Sequence, residues 1–325
     1  MTNTRNNSGL AVEAHGLVKV FGENRAVDGV DLQVPTGSIY GVLGPNGAGK
    51  STVINMLATL MKPDGGSATI FGHDVLDEAQ IVRQLIGVTG QSATVDENLS
   101  ATENLVIFGR LLGLGKAVAS KKAEELLEEF GLTETAKKPL SKFSGGMRRR
   151  LDLAASLISQ PPLIFLDEPT TGLDPRTRNQ MWETIRSLVA KGSTILLTTQ
   201  YLDEADQLAD RIALVDHGRV IVEGTPDELK AKAGTSTLQL QLAEIKDTDE
   251  AIRIIQSVLD VKAVTPIPSQ ITAPMSDTER VTDLLIALRK EGIRLAEVSV
   301  QKPTLDEVFL ALTGDINKRN YEETN

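Results

Sequence analysis

The sequence predicts an α/β fold built on a largely parallel sheet, followed by a smaller α+β domain, on three observations. From Ser38 to Val215, short apolar runs alternate with helix-period segments, the pattern of strands joined through crossover helices. Between one such run and one such segment stands Gly44-Pro45-Asn46-Gly47-Ala48-Gly49-Lys50-Ser51-Thr52, which fits G-x-x-x-x-G-K-[ST], the phosphate-binding loop. After Gly234 the composition shifts to alternating strands and short amphipathic helices.

Met1 to Gly9 is polar and Asn-rich, lacks the apolar core of a secretory leader, and is expected to be a disordered tail. The main domain spans 10–234. It opens with strands at Leu10 to Val20 and Arg25 to Val34, then Ser38 to Leu43, a buried strand entering the glycine loop. Val53, Met56, Leu57, Leu60 and Met61 fall at helical spacing, so Lys50 to Met61 reads as a helix with one apolar face. A short strand follows at Ala68 to Phe71 and another at Ile86 to Gln91. About 92–160 is helical in character, with Ala123, Leu126, Leu127 and Phe130 forming one apolar stripe. Leu163-Ile164-Phe165-Leu166 reads as a buried strand, Thr194 to Thr198 as another, and Arg211 to Val215 with Val220 to Glu223 as a hairpin. The small α+β domain covers 235–315, and 316–325 is a polar tail.

Composition removes several classes of function. The 325 residues contain no cysteine and three scattered histidines, so disulfides and cysteine-based zinc sites are out. No apolar run approaches the ~18 residues of a membrane span. The net charge of −10 disfavours non-specific binding to nucleic acid or anionic lipid.

The chemistry centres on the glycine loop. Glycines let its backbone curl so that successive N–H groups face a phosphate, and the following helix adds the positive end of its dipole. Lys50 would reach the terminal phosphates and Ser51 would hold Mg²⁺. Asp167 ends an apolar strand, as a second Mg²⁺ carboxylate should. Its neighbour Glu168 is placed to polarise an attacking water as general base. Ser144-Gly145-Gly146 opens a further helix and suits either a simple cap or a second anion grip. Two chains arranged head to tail would use both loops, each closing the other's site. Arg148-Arg149-Arg150 reads as a solvated helix face or as ion pairs with local acids, ahead of a phosphate contact.

These residues resemble ATP-binding-cassette (ABC) ATPases, with a P-loop NTPase core of RecA-like sheet plus a helical signature subdomain. Phe143-Ser144-Gly145-Gly146-Met147 is similar to the family's signature motif, Leu163 to Glu168 to its Walker B strand, and Gly172-Leu173-Asp174 to its D-loop. By the same resemblance Gln91 is the Q-loop glutamine, a contact to Mg²⁺ and the γ-phosphate, Phe21 stacks on the base, Asp174 joins the nucleotide site, and Gln200 stands at the switch position. That position is usually histidine; an amide still donates to a phosphate but carries no proton. Thr198 to Asp206 and Leu305 to Gly314 resemble the branch of daunorubicin/doxorubicin-resistance ATP-binding subunits, which shares the glutamine. The resemblance implies a homodimer on an integral membrane permease of the ABC-2 type, at the cytoplasmic face of the membrane, in drug export. It also implies an assembly role for the last domain. An importer subunit, or a soluble ATPase acting on nucleic acid or ribosomes, are the rivals. With only a stacking aromatic for the base and no Asn-Lys-x-Asp reader, both ATP and GTP are expected to bind.

Overall fold

The computed structural model describes residues 9–90, 95–233, 236–275, 279–301 and 303–309. It divides into two units, residues 1–226 and 227–325. The first unit opens with β1 (Leu10–Phe21) and β2 (Asn24–Pro35), an antiparallel pair. After β3 (Ile39–Leu43) and helix α1 (Lys50–Leu57), the chain returns to β1 through β4 (Gly65–Ile70) and the two-residue β5 (His73–Asp74), giving an antiparallel sheet in the order β2-β1-β4-β5. Helix α2 (Ala79–Leu85) leads into β6 (Ile86–Thr89).

The helical stretch contains α3 (Ala101–Leu111), α4 (Lys116–Glu129) and α5 (Gly145–Ser156). Ser100 and Glu103 form a reciprocal capping box at the start of α3. Then come β7 (Leu163–Asp167), α6 (Pro175–Ala190), β8 (Thr194–Thr199), α7 (Leu202–Leu208), and the hairpin β9 (Arg211–Asp216) and β10 (Arg219–Gly224). The tight turn of that hairpin places His217 at φ 45° and Gly218 at φ 76°, the double left-handed step that two-residue hairpins require.

Six strands form the central sheet, β10-β9-β3-β8-β7-β6, parallel except for β10 at its edge. All residues of β3, β7 and β8 are buried, which is why they read as continuous apolar runs rather than alternating ones. Register aligns their carboxyl ends: Leu43 pairs with Thr199 and Asp167 with Thr198. The residues after each strand therefore emerge along one edge, where ligands bind in such sheets.

Helix α1 is shorter than its apolar spacing predicts. It ends at Leu57; Thr59 turns to φ 61°, and the Leu60 and Met61 amides donate to the Asn55 carbonyl. Leu60 leaves the buried face and is exposed, because a left-handed residue at the helix end reverses the chain.

In the second unit, α8 (Pro226–Ala233), β11 (Ser236–Leu242), α9 (Thr248–Leu259), β12 (Val264–Ile267), β13 (Gln270–Met275), α10 (Arg280–Lys290) and β14 (Leu295–Gln301) follow in order. Its antiparallel sheet runs β12-β13-β11-β14. Leu238, Leu240, Ile255, Ile271, Leu284 and Leu288 form its core with both long helices. Pro266 sits within β12 and is tolerated there because β12 is an edge strand and needs no donor on its open side. Residues 305–309 are helical, with Leu305 and Val308 buried.

Candidate active site

The first glycine loop is shaped by its own chain. A Cβ on Gly44 would lie 2.1 Å from the Val215 carbonyl oxygen, and one on Gly49 2.3 Å from that of Ala26. Gly49 also has φ 100°. Only glycine fits either place. The Lys50 ammonium is buried and donates to the carbonyls of Gly44 (2.8 Å) and Pro45 (3.0 Å), with Glu168 Oε1 3.6 Å away. Burial pushes its pKa down, and Glu168 and Asp167 counter that.

Ser51, one residue on, donates to Asp167 Oδ1 at 3.0 Å, so the two oxygens named as Mg²⁺ ligands meet. Thr198, from the neighbouring strand, donates to the same carboxylate oxygen. Two convergent oxygen donors suit a hard cation that takes its remaining ligands from phosphate and water.

Glu168 follows at the strand end. Its amide bonds the Thr198 carbonyl at 3.1 Å, and its Oε2 accepts from Thr171 at 3.2 Å. It adopts φ 48°, a conformation that costs a non-glycine residue roughly 1–3 kcal/mol and persists only where the surroundings enforce it.

A cavity of about 690 Å³ joins these parts. Asn46, Gly47, Gly49, Lys50, Ser51 and Thr52 form one wall; Glu168, Thr171, Gly172, Leu173 and Gln200 form another; Gly145, Arg148, Arg149 and Asp152 approach from α5. Of the other predicted contacts, Gly145 reaches the cavity, whereas Phe21, Asp174, Ser144 and Gly146 do not line it. Phe21 is exposed at the end of β1, with Lys19 Nζ 5.7 Å from its ring centroid. Asp174 caps α6, accepting from the Thr177 amide (3.0 Å) and hydroxyl (2.6 Å), and these bonds hold its pKa below the usual range. Ser144 caps α5 through the Met147 amide at 3.3 Å. Gly145 has nothing within 4 Å of where a Cβ would stand, whereas at Gly146 a Cβ would lie 2.4 Å from Thr177 Cγ2. Gln91 lies outside the described residues.

The arginine run divides three ways. Arg148 makes the expected ion pair, with Glu97 Oε1 at 2.6 Å. Arg150 donates to the Phe130 carbonyl at 3.0 Å. Arg149 corrects the expectation of a solvated or ion-paired face, because among the described residues its four hydrogen bonds go to backbone carbonyls at the exits of β6 and β7. Sequence reasoning also missed Glu204, wholly buried, which accepts from Thr170 (2.7 Å) and Trp182 (3.1 Å) and whose pKa burial pushes up. Only its neighbours in space reveal its partners; nothing in the local sequence marks it.

The ABC transporter family model matches residues 27–171, and a model described as the C-terminal domain of DrrA1-3-like ATP-binding proteins matches 224–313. The daunorubicin/doxorubicin resistance ATP-binding protein DrrA of Streptomyces peucetius is 54% identical over 96% of each chain. The chain belongs to the ATP-binding subunits of ABC transporters. Within them it is closely related to the DrrA family. A doxorubicin resistance ATP-binding protein of Mycobacterium tuberculosis is 46% identical over 95% of each chain, and the linearmycin resistance ATP-binding protein of Bacillus subtilis 38% identical over 93% of this chain and 98% of its own. An ATP-binding cassette solved in its ADP conformation superposes with a TM-score of 0.61 at 27% identity, over 67% of this chain and 92% of that one. A dimeric post-hydrolysis cassette bound to ADP and phosphate gives 0.61 at 27%, over 66% of this chain and 98% of that one.

This ABC ATPase subunit thus binds and hydrolyses ATP with Mg²⁺, and its family context implies a permease and a dimeric arrangement of ATPase subunits. The ion, when bound, neutralises charge on the phosphates. What this chain itself supplies is a loop whose shape only glycine allows at Gly44 and Gly49, a buried ammonium held at that loop, and a carboxylate at a strand end beside it.

Proposed function

We propose that this subunit energises an exporter of drug-like or antibiotic molecules, working as a homodimer on the cytoplasmic face of an ABC-2-type permease. The observation that carries this reading is end-to-end similarity, including the C-terminal domain, to subunits named for resistance to daunorubicin and doxorubicin. Among the described residues no helix is long and apolar enough to cross a membrane, so the passage itself falls to a partner. The net charge of −10 speaks against nucleic acid as that partner.

In the proposed mechanism each nucleotide is held by one chain and closed over by the other. The loop from Gly44 to Thr52 would cradle its phosphates with the amides that the Thr199 and Pro45 carbonyls do not take up; Lys50 bears on the terminal ones; Ser51, Asp167 and Gln91 would hold Mg²⁺. Glu168 takes the proton of the attacking water, and Gln200 donates to the γ-phosphate. Ser144, Gly145 and Gly146, with Asp174, serve the partner's nucleotide, and Phe21 stacks on the base. The open space over Gly145 supports this reading: nothing in its own chain demands a glycine there. The γ-phosphate bridges the halves, so hydrolysis removes the contact that favours closure.

A base held mainly by stacking leaves ATP and GTP within about 100-fold of each other, about 2.7 kcal/mol; competition binding with a wider gap would refute that. The domain boundaries at 10–234 and 235–315, and an assembly role for the second, belong to the same proposal. Co-expression with a partner permease of the ABC-2 type should lower drug accumulation in cells and raise nucleotide hydrolysis together. Hydrolysis without any change in accumulation would reject export. Full activity of a strictly monomeric chain at high dilution would reject the shared site.

A further inference from the structure

We infer that Arg149 is a positioning residue for hydrolysis: it fixes the backbone that presents Glu168 and ties it to the helix that begins at the second glycine loop. The inference rests on the reading of Glu168 as general base. Arg149 Nη2 donates to the carbonyl oxygens of Asp167 at 2.7 Å and Glu168 at 3.1 Å. Those two carbonyls belong to the peptide planes on either side of the Glu168 Cα. One nitrogen therefore clamps both planes and sets the φ of 48° that aims the side chain. Nε donates to the Pro169 carbonyl at 3.1 Å and Nη1 to that of Gly90 at 2.7 Å, which adds the exit of β6 to the same brace.

Carbonyls at strand exits run out of ladder partners. A guanidinium satisfies several at once because its donors form a rigid planar fork; an ammonium is a single point and cannot hold four carbonyls in fixed relation. Burial lowers the pKa of the guanidinium, while Asp152, Asp167, Glu204 and Glu168 around it oppose that shift. Arg149 rides on α5, whose first residues are Gly145 and Gly146. A displacement of α5 is therefore handed directly to the base. Occupation of the second glycine loop and readiness of the first chain's own base become mechanically linked, through one side chain.

The test uses the full-length chain in the assembly in which the unmodified chain hydrolyses MgATP. Arg149→Met should lower kcat on the order of 10²-fold, the scale expected when a reacting group is misplaced by about an ångström, with ATP affinity changed less than about threefold. In the Glu168→Gln background the same change should cost less than about twofold more, because there is no base left to misplace. Arg149→Lys should restore the melting temperature while its rate stays at least about tenfold down. Full-strength multiplication of the two losses in the double variant would overturn the role of Arg149 while leaving Glu168 as base. So would a fully active Arg149→Lys, or a loss of ATP binding in step with kcat. Normal turnover of Glu168→Gln alone would remove the base, and the inference with it.

Discussion

Both loops are built on glycine, but Gly44 and Gly49 of the first and Gly145 of the second stand in opposite surroundings. At Gly44 and Gly49 a side chain would strike the backbone of the same chain within 2.3 Å, so those glycines serve the fold as much as the ligand. At Gly145 the space is empty. In the proposed reading that space is where the partner's nucleotide approaches. The contrast teaches that the first loop is held in shape by its own chain while Gly145 of the second is not, which is what the proposed pocket shared with a second copy calls for.

The largest effect sharpens what the first half-site does. Glu168→Gln should slow hydrolysis by ~10²–10⁴-fold while ATP binding persists, checked by phosphate release beside equilibrium binding; unchanged turnover would remove the base from the first half-site. Next, Gly49→Ala combines a φ of 100° with a 2.3 Å clash. It should cost roughly 1–3 kcal/mol in backbone strain alone and abolish tight ATP binding, read by thermal melting with and without MgATP. A normal melt would break the contrast at its first term.

Gly145→Ala is the converse. Its melting should match the parent, since Gly145 is the first residue of α5 and nothing lies within 4 Å of where a Cβ would stand. ATP binding by the isolated chain should be intact, yet steady-state hydrolysis should fall by about tenfold or more, equivalent to ~1.4 kcal/mol of lost transition-state binding. Full activity would mean that nothing approaches this loop. The most readily reversed change concerns Gly146, where the obstacle is one methyl group, Thr177 Cγ2. Gly146→Ala should destabilise by about 1–3 kcal/mol, and adding Thr177→Ser, which removes that methyl but keeps the hydroxyl on Asp174, should restore most of it. Failure of the rescue would show that backbone, not this side chain, closes the site.

Much of the first half-site is legible because it is local. Lys50 and Ser51 lie within one loop and helix start, and Asp167 and Glu168 within one strand end, so spacing alone names them. The opening strand pair is a different case. β1 and β2 were readable as strands, yet nothing in their pattern says that they join β4 in a separate antiparallel sheet, since pairing partners are a long-range choice. Helix α1 ran past its true end on paper because apolar spacing continues to Met61, while the chain had already turned at Thr59. Arg149 was misread for a similar reason. Helical phase places it opposite Leu151, Ala154 and Ala155, the face that normally meets water, and here strand carbonyls occupy that face.

The sequence by itself determined the chemistry of the parts: a loop that only glycines can shape, a lysine and a serine at its end, two acids closing an apolar strand, and the switch of texture after Gly234. Those follow from short-range sterics and from periodicity, which a linear chain carries in full. Tertiary structure decided which parts meet: Ser51 with Asp167, Lys50 with Glu168, Arg149 with four carbonyls from two strand exits, Glu204 with Thr170 and Trp182. Such meetings depend on the order and register of parallel strands, whose partners lie far apart in the chain, and only packing of the whole sheet selects among the alternatives.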